Sequence, residues 1–225
     1  MHLTDIAMVA ADTSRTLCYF KELIRNNFIP NYVLLLINND SMLLPGQKTN
    51  ESKDQLLNLL EDSNIQFEIS PNKDINSIEV ITKLEKRMES VFIFSGFGGV
   101  LLRDKILATG KKFLHVHGGY LPDYKGSTTN YYSLINENTI GASSIFLTKD
   151  IDCGPVLLRR KFAVPTQRDA IDHIHDSEAR AKVLVETLQN YVSDGCFNFE
   201  LQANTGGETF FVIHPVLKHL AILGD

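Results

Sequence analysis

The fold is decided by the stretch FLHVHGGYLPDYKG, residues 113–126, which joins a short apolar run to two histidines and then to a glycine-containing loop. Side chains at positions i and i+2 of a strand point to the same face, so His115 and His117 are expected side by side. In open α/β sheets, ligands bind at the carboxyl ends of strands. The stretch therefore predicts a functional site where its strand ends.

Composition and charge limit the classes of protein to which the chain can belong. Its 225 residues suffice for a sizeable core, and 44% hydrophobic with 22% charged residues is ordinary for a soluble globular protein. A net charge of −5 argues against binding nucleic acid through a basic surface. No apolar run is long enough to span a bilayer, so no membrane partner is expected.

The N-terminus and the cysteines predict a cytoplasmic protein. Residues 1–5 lack the basic and apolar regions of a secretory signal. Cys18, Cys153 and Cys196 are odd in number and far apart, which is typical of reduced thiols.

Short apolar runs alternate with amphipathic segments, which predicts strands joined by crossover helices. Strands are expected near residues 6–11, 31–37, 67–69, 90–94, 112–117, 142–147 and 156–158. Helices are expected near 53–61, 78–88, 102–108, 130–136 and 168–192. The predicted fold is α/β and Rossmann-like, with a mostly parallel twisted sheet and helices on both faces.

The C-terminal residues predict a separate small extension. Apolar runs at 197–201 and 209–213 flank a turn at 204–207, which indicates a short hairpin. Pro215 opens a final helix that extends to Leu223. We therefore expect a catalytic domain over residues 1–195 and an extension over 196–225, packed on the core or at the seam of a homodimer.

Three features that can carry chemistry each follow a predicted strand. They are the loop Ser95-Gly96-Phe97-Gly98-Gly99, the His115/His117 strand end, and the turn containing Asp150 and Asp152. An acid and a histidine at one sheet edge can move protons, and an imidazole N–H can stabilise a developing oxyanion.

The residues alone leave other interpretations open. Two histidines in an apolar strand can be satisfied core residues. They can also bind a metal ion, with Asp152 as third ligand. The glycine loop resembles a dinucleotide-binding loop only loosely, and Cys153 is by itself a packing residue as readily as a nucleophile.

Taken together, these segments resemble the folate-dependent formyltransferases. That family has an N-x-H segment, a loop of the form LP-x-[YF]-x-G, and a later D-x-G turn, matched here by His117, by residues 121–126 and by residues 152–156. The resemblance implies 10-formyltetrahydrofolate as co-substrate, bound by Ser95–Gly99 and Asp150, and no metal. It also implies that His117, Asp152 and His115 are catalytic.

The resemblance implies an acyl transfer in which a neutral amine attacks a formyl carbon and a tetrahedral oxyanion forms. His117 would contact the oxyanion or shuttle a proton, and Asp152 would orient His117 or take the amine proton through water. His115 stands where the family has an asparagine. It either supplies the remaining donor or indicates altered chemistry or lost activity.

The family includes several substrate classes. Methionyl-tRNA is disfavoured by the acidic charge and the short tail, and glycinamide ribonucleotide by the turn over residues 10–16, which has no glycine. A nucleotide-linked amino deoxysugar, used in surface polysaccharides such as lipopolysaccharide, is the favoured amine substrate. Its expected contacts are Thr13, Ser14, Arg15, Tyr120, Tyr124, Lys125 and Asn130, although Thr13 or Ser14 could simply cap a helix.

Three further alternatives remain open at the level of sequence. One is a folate-binding homologue whose site has decayed, and another is a metal-dependent hydrolase built on His115, His117 and Asp152. A formyltetrahydrofolate hydrolase would share the site and use water as acceptor. Such hydrolases usually carry an extra N-terminal domain, whereas this chain starts with its first strand.

Overall fold

The computed structural model describes residues 1–37, 51–202 and 207–224, with the backbone alone at 51 and 52. The chain divides into two compact units, Met1–Leu114 and His115–Asp225. The predicted boundary at residue 195 stays a prediction.

The first unit alternates strands and helices. Its sheet has the strand order β7-β6-β2-β4-β5 with all pairs parallel, and β1 pairs separately with β3. The elements are β1 (His2–Leu3), β2 (Ile6–Ala11), α1 (Ser14–Arg25), β3 (Ile29–Pro30), β4 (Val33–Leu36), α2 (Glu51–Asp62), β5 (Phe67–Ile69), α3 (Ile78–Glu85), β6 (Val91–Ser95), α4 (Asp104–Leu107) and β7 (Lys112–His117).

The buried strands explain why this unit forms a parallel sheet. Every residue of β2, β4 and β6 is buried, as expected for strands that are covered on both faces. The helix α1 begins at a Thr13 cap and buries Leu17, Phe20 and Leu23, which lie on one face at helical spacing. The sequence prediction of a Rossmann-like, mostly parallel sheet is confirmed.

The second unit begins at His115, so the last three residues of β7 belong to it. Its strands β9 and β10 pair in the antiparallel direction. A separate pair joins β8 to β11 in parallel. The elements are β8 (Tyr124–Gly126), α5 (Thr129–Glu137), β9 (Thr139–Phe146), β10 (Val156–Ala163), α6 (Asp176–Asp194), β11 (Glu208–Phe210) and α7 (Pro215–Leu223).

Two predicted helices differ from those in the structure. The predicted helix over 168–192 begins as a 3₁₀ turn at Arg168–Ala170 and a π-helical segment at Ile171–His175, and becomes α-helical only at Asp176. A wider π turn shifts the angular position of its side chains, so Ile174 is exposed although the helical spacing placed it on the apolar side. The helix α3 ends at Glu85, which leaves Met88 exposed.

The predicted C-terminal hairpin is wrong in its pairing. Glu208–Phe210 pairs with Tyr124–Gly126, and Glu200 forms an isolated antiparallel bridge with Val156. The predicted turn lies outside the described residues, apart from Gly207. Short polar and apolar alternation shows that a segment is extended, but it does not identify the strand that it joins. The final helix from Pro215 to Leu223 is confirmed.

Candidate active site

A buried histidine and a buried aspartate face each other in the second unit. His117 ends β7, Asp152 lies in the turn before β10, and they are 5% and 8% exposed. His117 Nδ1 lies 3.3 Å from Asp152 Oδ2, and His117 Nε2 lies 2.7 Å from the carbonyl oxygen of Tyr124. A carbonyl oxygen only accepts, so Nε2 carries the hydrogen in that contact. Both ring nitrogens therefore have protein partners.

The turn that carries Asp152 is held from two sides. Asp152 has a φ of 53°, in the left-handed region that aspartate tolerates better than most residues. Its Oδ2 accepts a hydrogen bond from the Gly126 N–H at 2.8 Å. Gln202 Nε2 donates to the carbonyl oxygens of Asp152 and Gly154 at 2.8 and 2.7 Å. These contacts fix both the backbone and the carboxylate of Asp152.

Burial lowers the pKa of His117 below its usual 6.5, because the charged ring loses more hydration than the neutral one. The charge of Arg180 also lowers this pKa, whereas Asp152, the Tyr124 carbonyl and Asp176 raise it. A neutral His117 with its hydrogen on Nε2 has a lone pair on Nδ1, beside Asp152. A proton on Nδ1 would be stabilised by the carboxylate, so His117 and Asp152 can share a proton.

A second polar network supports the end of β7 from α6. Arg180 Nη1 donates to the Val116 carbonyl oxygen at 3.1 Å, and Arg180 Nε lies 2.8 Å from Asp176 Oδ2. Asp176 Oδ1 accepts from Asn130 Nδ2 at 2.9 Å, and Asn130 Oδ1 accepts from the Gly141 N–H at 2.7 Å. The amide of Asn130 therefore contacts protein groups, and its contact with a substrate stays a prediction.

The other predicted residues of this region lie on the same strand and loop. His115 is half-buried in β7, and Lys125 is buried in β8. Tyr120 is half-buried, with Lys161 Nζ 4.9 Å from the centre of its ring. Tyr124 is buried, which raises the pKa of its phenol. Their roles in catalysis or substrate binding stay predictions.

The predicted folate loop lies in the first unit, directly after β6. Ser95 and Gly96 are buried, Phe97 is half-buried, and Gly98 and Gly99 are exposed. A Cβ added at Gly98 or Gly99 would have no described atom within 4 Å, and Gly99 has a φ of +77°. Gly98 and Gly99 therefore present an open backbone surface.

The predicted phosphate contacts lie at the start of α1 in the same unit. Thr13 caps the helix, since its hydroxyl accepts a backbone N–H of the first turn at 3.2 Å. Ser14 is exposed. Arg15 donates from Nη2 to the Gly96 carbonyl oxygen, and its Nε lies 3.4 Å from Ser95 Oγ. The structure thus brings Arg15 together with the glycine loop.

The remaining predictions concern Asp150 and the possible metal site. Asp150 is exposed, and its carbonyl oxygen accepts the Cys153 N–H at 3.4 Å. Within residues 1–37, 51–202 and 207–224, no group of three His, Cys, Asp or Glu side chains is arranged to hold a metal ion. In the same residues, no helix is long and apolar enough to cross a membrane.

Sequence reasoning missed Asp176, Arg180 and Gln202. The spacing of Asp176 and Arg180, four residues apart, indicates an ion pair on a helix, but it gives no sign that the pair supports β7. Gln202 has no local signal, because its two acceptors lie about fifty residues away in sequence.

A buried histidine–carboxylate pair at the end of a strand of an α/β sheet is an arrangement that can move protons. Residues 6–188 match the family described as formyl transferase. The chain belongs to that family.

Comparisons with individual proteins give one partial sequence likeness and two likenesses of fold. The chain is 28% identical over 124 residues to a methionyl-tRNA formyltransferase of Caldanaerobacter subterraneus, a match that covers 54% of this chain and 40% of the relative. The phosphoribosylglycinamide formyltransferase structure from Anaplasma phagocytophilum aligns with a TM-score of 0.63 and 14% identity over 93% of this chain and 97% of that chain.

A third comparison concerns an N-formyltransferase from Helicobacter canadensis, solved in complex with folinic acid and dTDP-3-aminofucose. It aligns with a TM-score of 0.60 and 16% identity, over 93% of this chain and 71% of that chain. The chain spans less than half the length of the curated relatives that it matches.

Proposed function

We propose that this protein transfers a formyl group from 10-formyltetrahydrofolate to the amine of a small molecule, and that the amine belongs to a nucleotide-linked amino deoxysugar. The observation that carries the proposal is the buried contact of 3.3 Å between His117 Nδ1 and Asp152 Oδ2 in a chain of the formyl transferase family. The pair supplies a proton acceptor at a strand end, where ligands of α/β sheets bind.

The transfer joins the amine nitrogen to the formyl carbon and breaks the bond from that carbon to N10 of the donor, which leaves with the electron pair and a proton. Asp152 takes the proton of the attacking amine through water and shares it with the Nδ1 lone pair of neutral His117, and the pair then returns the proton to the leaving N10. His115, two residues earlier in β7, donates to the charge that develops on the formyl oxygen. The amine must be neutral when it attacks.

The open loop over Ser95–Gly99 suits a folate donor. Its exposed backbone at Gly98 and Gly99 admits close approach of a flat ring, and Val100 and Leu101 beside it are 36% and 55% exposed. Arg15 holds the start of the loop through the Gly96 carbonyl oxygen. Asp150 joins the folate contacts in this proposal. The donor supplies an activated formyl group, and no metal takes part.

The likeness to an N-formyltransferase crystallised with dTDP-3-aminofucose supports a sugar substrate. In the proposal, Thr13, Ser14 and Arg15 contact the pyrophosphate, since a helix N-terminus attracts anions. Tyr120, Tyr124, Lys125 and Asn130 contact the sugar or order its loop. Glycinamide ribonucleotide is the second candidate, favoured by the alignment with nearly all of a phosphoribosylglycinamide formyltransferase.

Methionyl-tRNA is the weaker substrate proposal despite the sequence relatives. Many basic side chains of the described residues are ion-paired with acidic ones, which lowers their value as phosphate contacts. Such pairs are Lys83–Glu68, Arg87–Glu89, Arg159–Glu200, Arg160–Glu186, Lys161–Glu137 and Lys218–Asp172.

The cellular setting completes the proposal. Formylation of sugars for surface polysaccharides takes place on soluble nucleotide precursors, so a cytoplasmic protein is expected. A homodimer is also proposed, because α7 exposes Val216, Leu220 and Leu223 by 60%, 56% and 65%.

The test is a transfer assay with 10-formyltetrahydrofolate and a panel of amines, read by mass spectrometry of the products. The panel holds dTDP-3-amino and dTDP-4-amino deoxysugars, glycinamide ribonucleotide and a sample without amine. We expect an N-formyl sugar with the wild type, and at least a hundredfold less with His117→Gln, about the lower end of what a general acid–base group contributes. Release of formate in the sample without amine would identify a hydrolase. Folate binding with no formylated product from any amine would identify a homologue whose site has decayed.

A further inference from the structure

Residues beyond the family match contact both partners of His117. The match ends at residue 188. We use "the tail" for residues 197–202 and 207–213, which follow α6. His117 has one partner in the Asp152 carboxylate and another in the Tyr124 carbonyl oxygen. The tail reaches each of these two elements by a different set of contacts.

Residues 197–202 hold the Asp152 side. Gln202 donates to the carbonyl oxygens at 152 and 154, on either side of Cys153, so one amide bridges a turn whose first residue has a left-handed conformation. Glu200 exchanges two backbone hydrogen bonds of 2.8 Å with Val156, where β10 begins. Phe197 stacks on Tyr191 of α6 at 4.3 Å between ring centres, which anchors the start of this segment.

Residues 207–213 hold the Tyr124 side. Glu208–Phe210 pairs in parallel with Tyr124–Gly126, and the Phe210 carbonyl oxygen accepts the Ser127 N–H at 2.9 Å. The Phe210 ring lies 5.5 Å from the Tyr124 ring and 4.5 Å from that of Tyr132. The strand held in this way provides the Tyr124 carbonyl to His117 Nε2 and the Gly126 N–H to Asp152 Oδ2.

We propose that the tail positions the His117–Asp152 pair, with Gln202 fixing the Asp152 turn and Phe210 fixing the strand that contacts both side chains. Calling the pair catalytic rests on the proposed function, whereas the positioning does not. Gln202 and Phe210 are positioning residues, because they reach the reaction only through Asp152 and Tyr124.

Loosening the tail has a defined consequence for His117. The charged and titratable groups around its ring are Asp152 from the turn before β10, and Arg180 and Asp176 from α6. Asp152 and the Tyr124 carbonyl favour the protonated ring, while burial and Arg180 oppose it. If Asp152 or Tyr124 moves away, His117 loses a partner that raises its pKa, while any loss of burial acts in the opposite direction. The titration midpoint of His117 therefore changes.

The experiment compares Gln202→Met and Phe210→Ala with neighbouring control variants in the full chain. Methionine keeps the length of glutamine and removes both hydrogen-bond donors. The controls are Leu201→Ala and Phe211→Ala, whose side chains are 78% and 82% exposed. The readouts are the titration of the His117 imidazole by NMR, the midpoint of thermal unfolding, and kcat and KM for formyl transfer.

We expect both tail variants to shift the titration midpoint of His117 and to reduce kcat about 10- to 100-fold with little change in KM, as for a small displacement of a reacting group. The controls should match the wild type. An unchanged His117 titration in folded tail variants, or equal shifts in the controls, overturns the proposal. Gln202→Asn and Phe210→Leu are milder changes that should show the same effects to a smaller degree, if the first variants fail to fold.

The NMR readout separates this inference from the proposed function. A shifted His117 titration in a protein that formylates none of the amines tested supports the positioning and contradicts the transfer reaction. Formyl transfer with an unchanged titration and unchanged kcat in the tail variants supports the reaction and contradicts the positioning.

Discussion

The loop that follows β6 and the loop that follows β7 differ in what surrounds their glycines. At Gly98 and Gly99 an added Cβ would have no described atom within 4 Å. At Gly119 it would lie 2.6 Å from the Tyr124 carbonyl oxygen and 2.7 Å from His117 Nε2, and at Gly118 it would overlap the Asp176–Arg180 pair. Gly98 and Gly99 leave room, whereas Gly96 at the start of the first loop packs against the Phe94 ring and the glycines of the second loop permit close packing.

The difference indicates two functions for the same residue type. Packed glycines let backbone and polar side chains converge on His117 and hold it in one orientation, which a proton-transfer site requires. The exposed glycines Gly98 and Gly99 leave a backbone surface that a ligand can approach closely. In our account the first loop binds the formyl donor and the second carries the reacting groups.

The largest expected effect comes from the reacting pair. Asp152→Asn keeps a side chain that tolerates the left-handed backbone at this position and removes the negative charge beside His117. We expect kcat to fall about a hundredfold or more, with thermal unfolding within a few degrees of the wild type. Steady-state kinetics and calorimetry measure the two quantities. A folded variant with near wild-type kcat would remove Asp152 from the mechanism.

A smaller effect, on stability, is expected at a packed glycine. Gly154 lies two residues after Asp152, and a Cβ there would overlap the Phe146 carbonyl oxygen. Gly154→Ala should lower the free energy of unfolding by about 1–3 kcal/mol, as overpacking does elsewhere. Denaturant unfolding tests this, and a loss below about 0.5 kcal/mol would show that the turn relaxes easily.

The protonation of His117 gives a pH prediction. Because burial lowers its pKa in the folded state, the neutral ring predominates at pH 6.5, and the acid limb of kcat/KM should lie below that value. Replacing Arg180 by Met removes a charge that lowers this pKa, so the limb should move up, by about one pH unit or less. A shift to lower pH would contradict the assignment of the limb to His117.

The lowered pKa of His117 also makes the free energy of unfolding depend on pH. Between the lowered folded pKa and 6.5, the unfolded chain binds the proton that the folded chain does not. The free energy of unfolding therefore falls as pH decreases through this window. Comparing pH-dependent unfolding of the wild type and His117→Gln isolates the contribution, which should disappear in the variant.

The smallest effect on stability is expected at an open glycine. Gly98→Ala should change the free energy of unfolding by less than about 0.5 kcal/mol, since the added methyl group meets nothing in the described chain. If the donor lies against this backbone, the same change should weaken its binding. Calorimetry with 5-formyltetrahydrofolate, a stable analogue, tests this, and unchanged affinity would remove Gly98 from the donor site.

The sequence was informative wherever a pattern is local. Apolar runs such as 6–11 and 90–94 predicted buried parallel strands, and Pro215 correctly predicted the start of α7. The H-x-H spacing at the end of β7 and the later aspartate turn predicted two side chains that the structure places 3.3 Å apart. Hydrophobic periodicity and motif order carry this information directly.

The features that could not be predicted depend on long-range pairing. Nothing in residues 208–210 shows that they join Tyr124–Gly126, because strand alternation does not specify a partner. Gln202 and Arg180 act on groups about fifty to sixty residues away. The π-helical segment at Ile171–His175 breaks the 3.6-residue period on which the prediction of one continuous helix relied.

We propose that the formyl group of a folate donor binds beside His117 and is transferred there. Calorimetry of 5-formyltetrahydrofolate binding to the wild type and to His117→Gln tests it most directly. The account predicts micromolar binding to the wild type and altered affinity or binding enthalpy in the folded variant. No detectable binding to the wild type at millimolar ligand would contradict it.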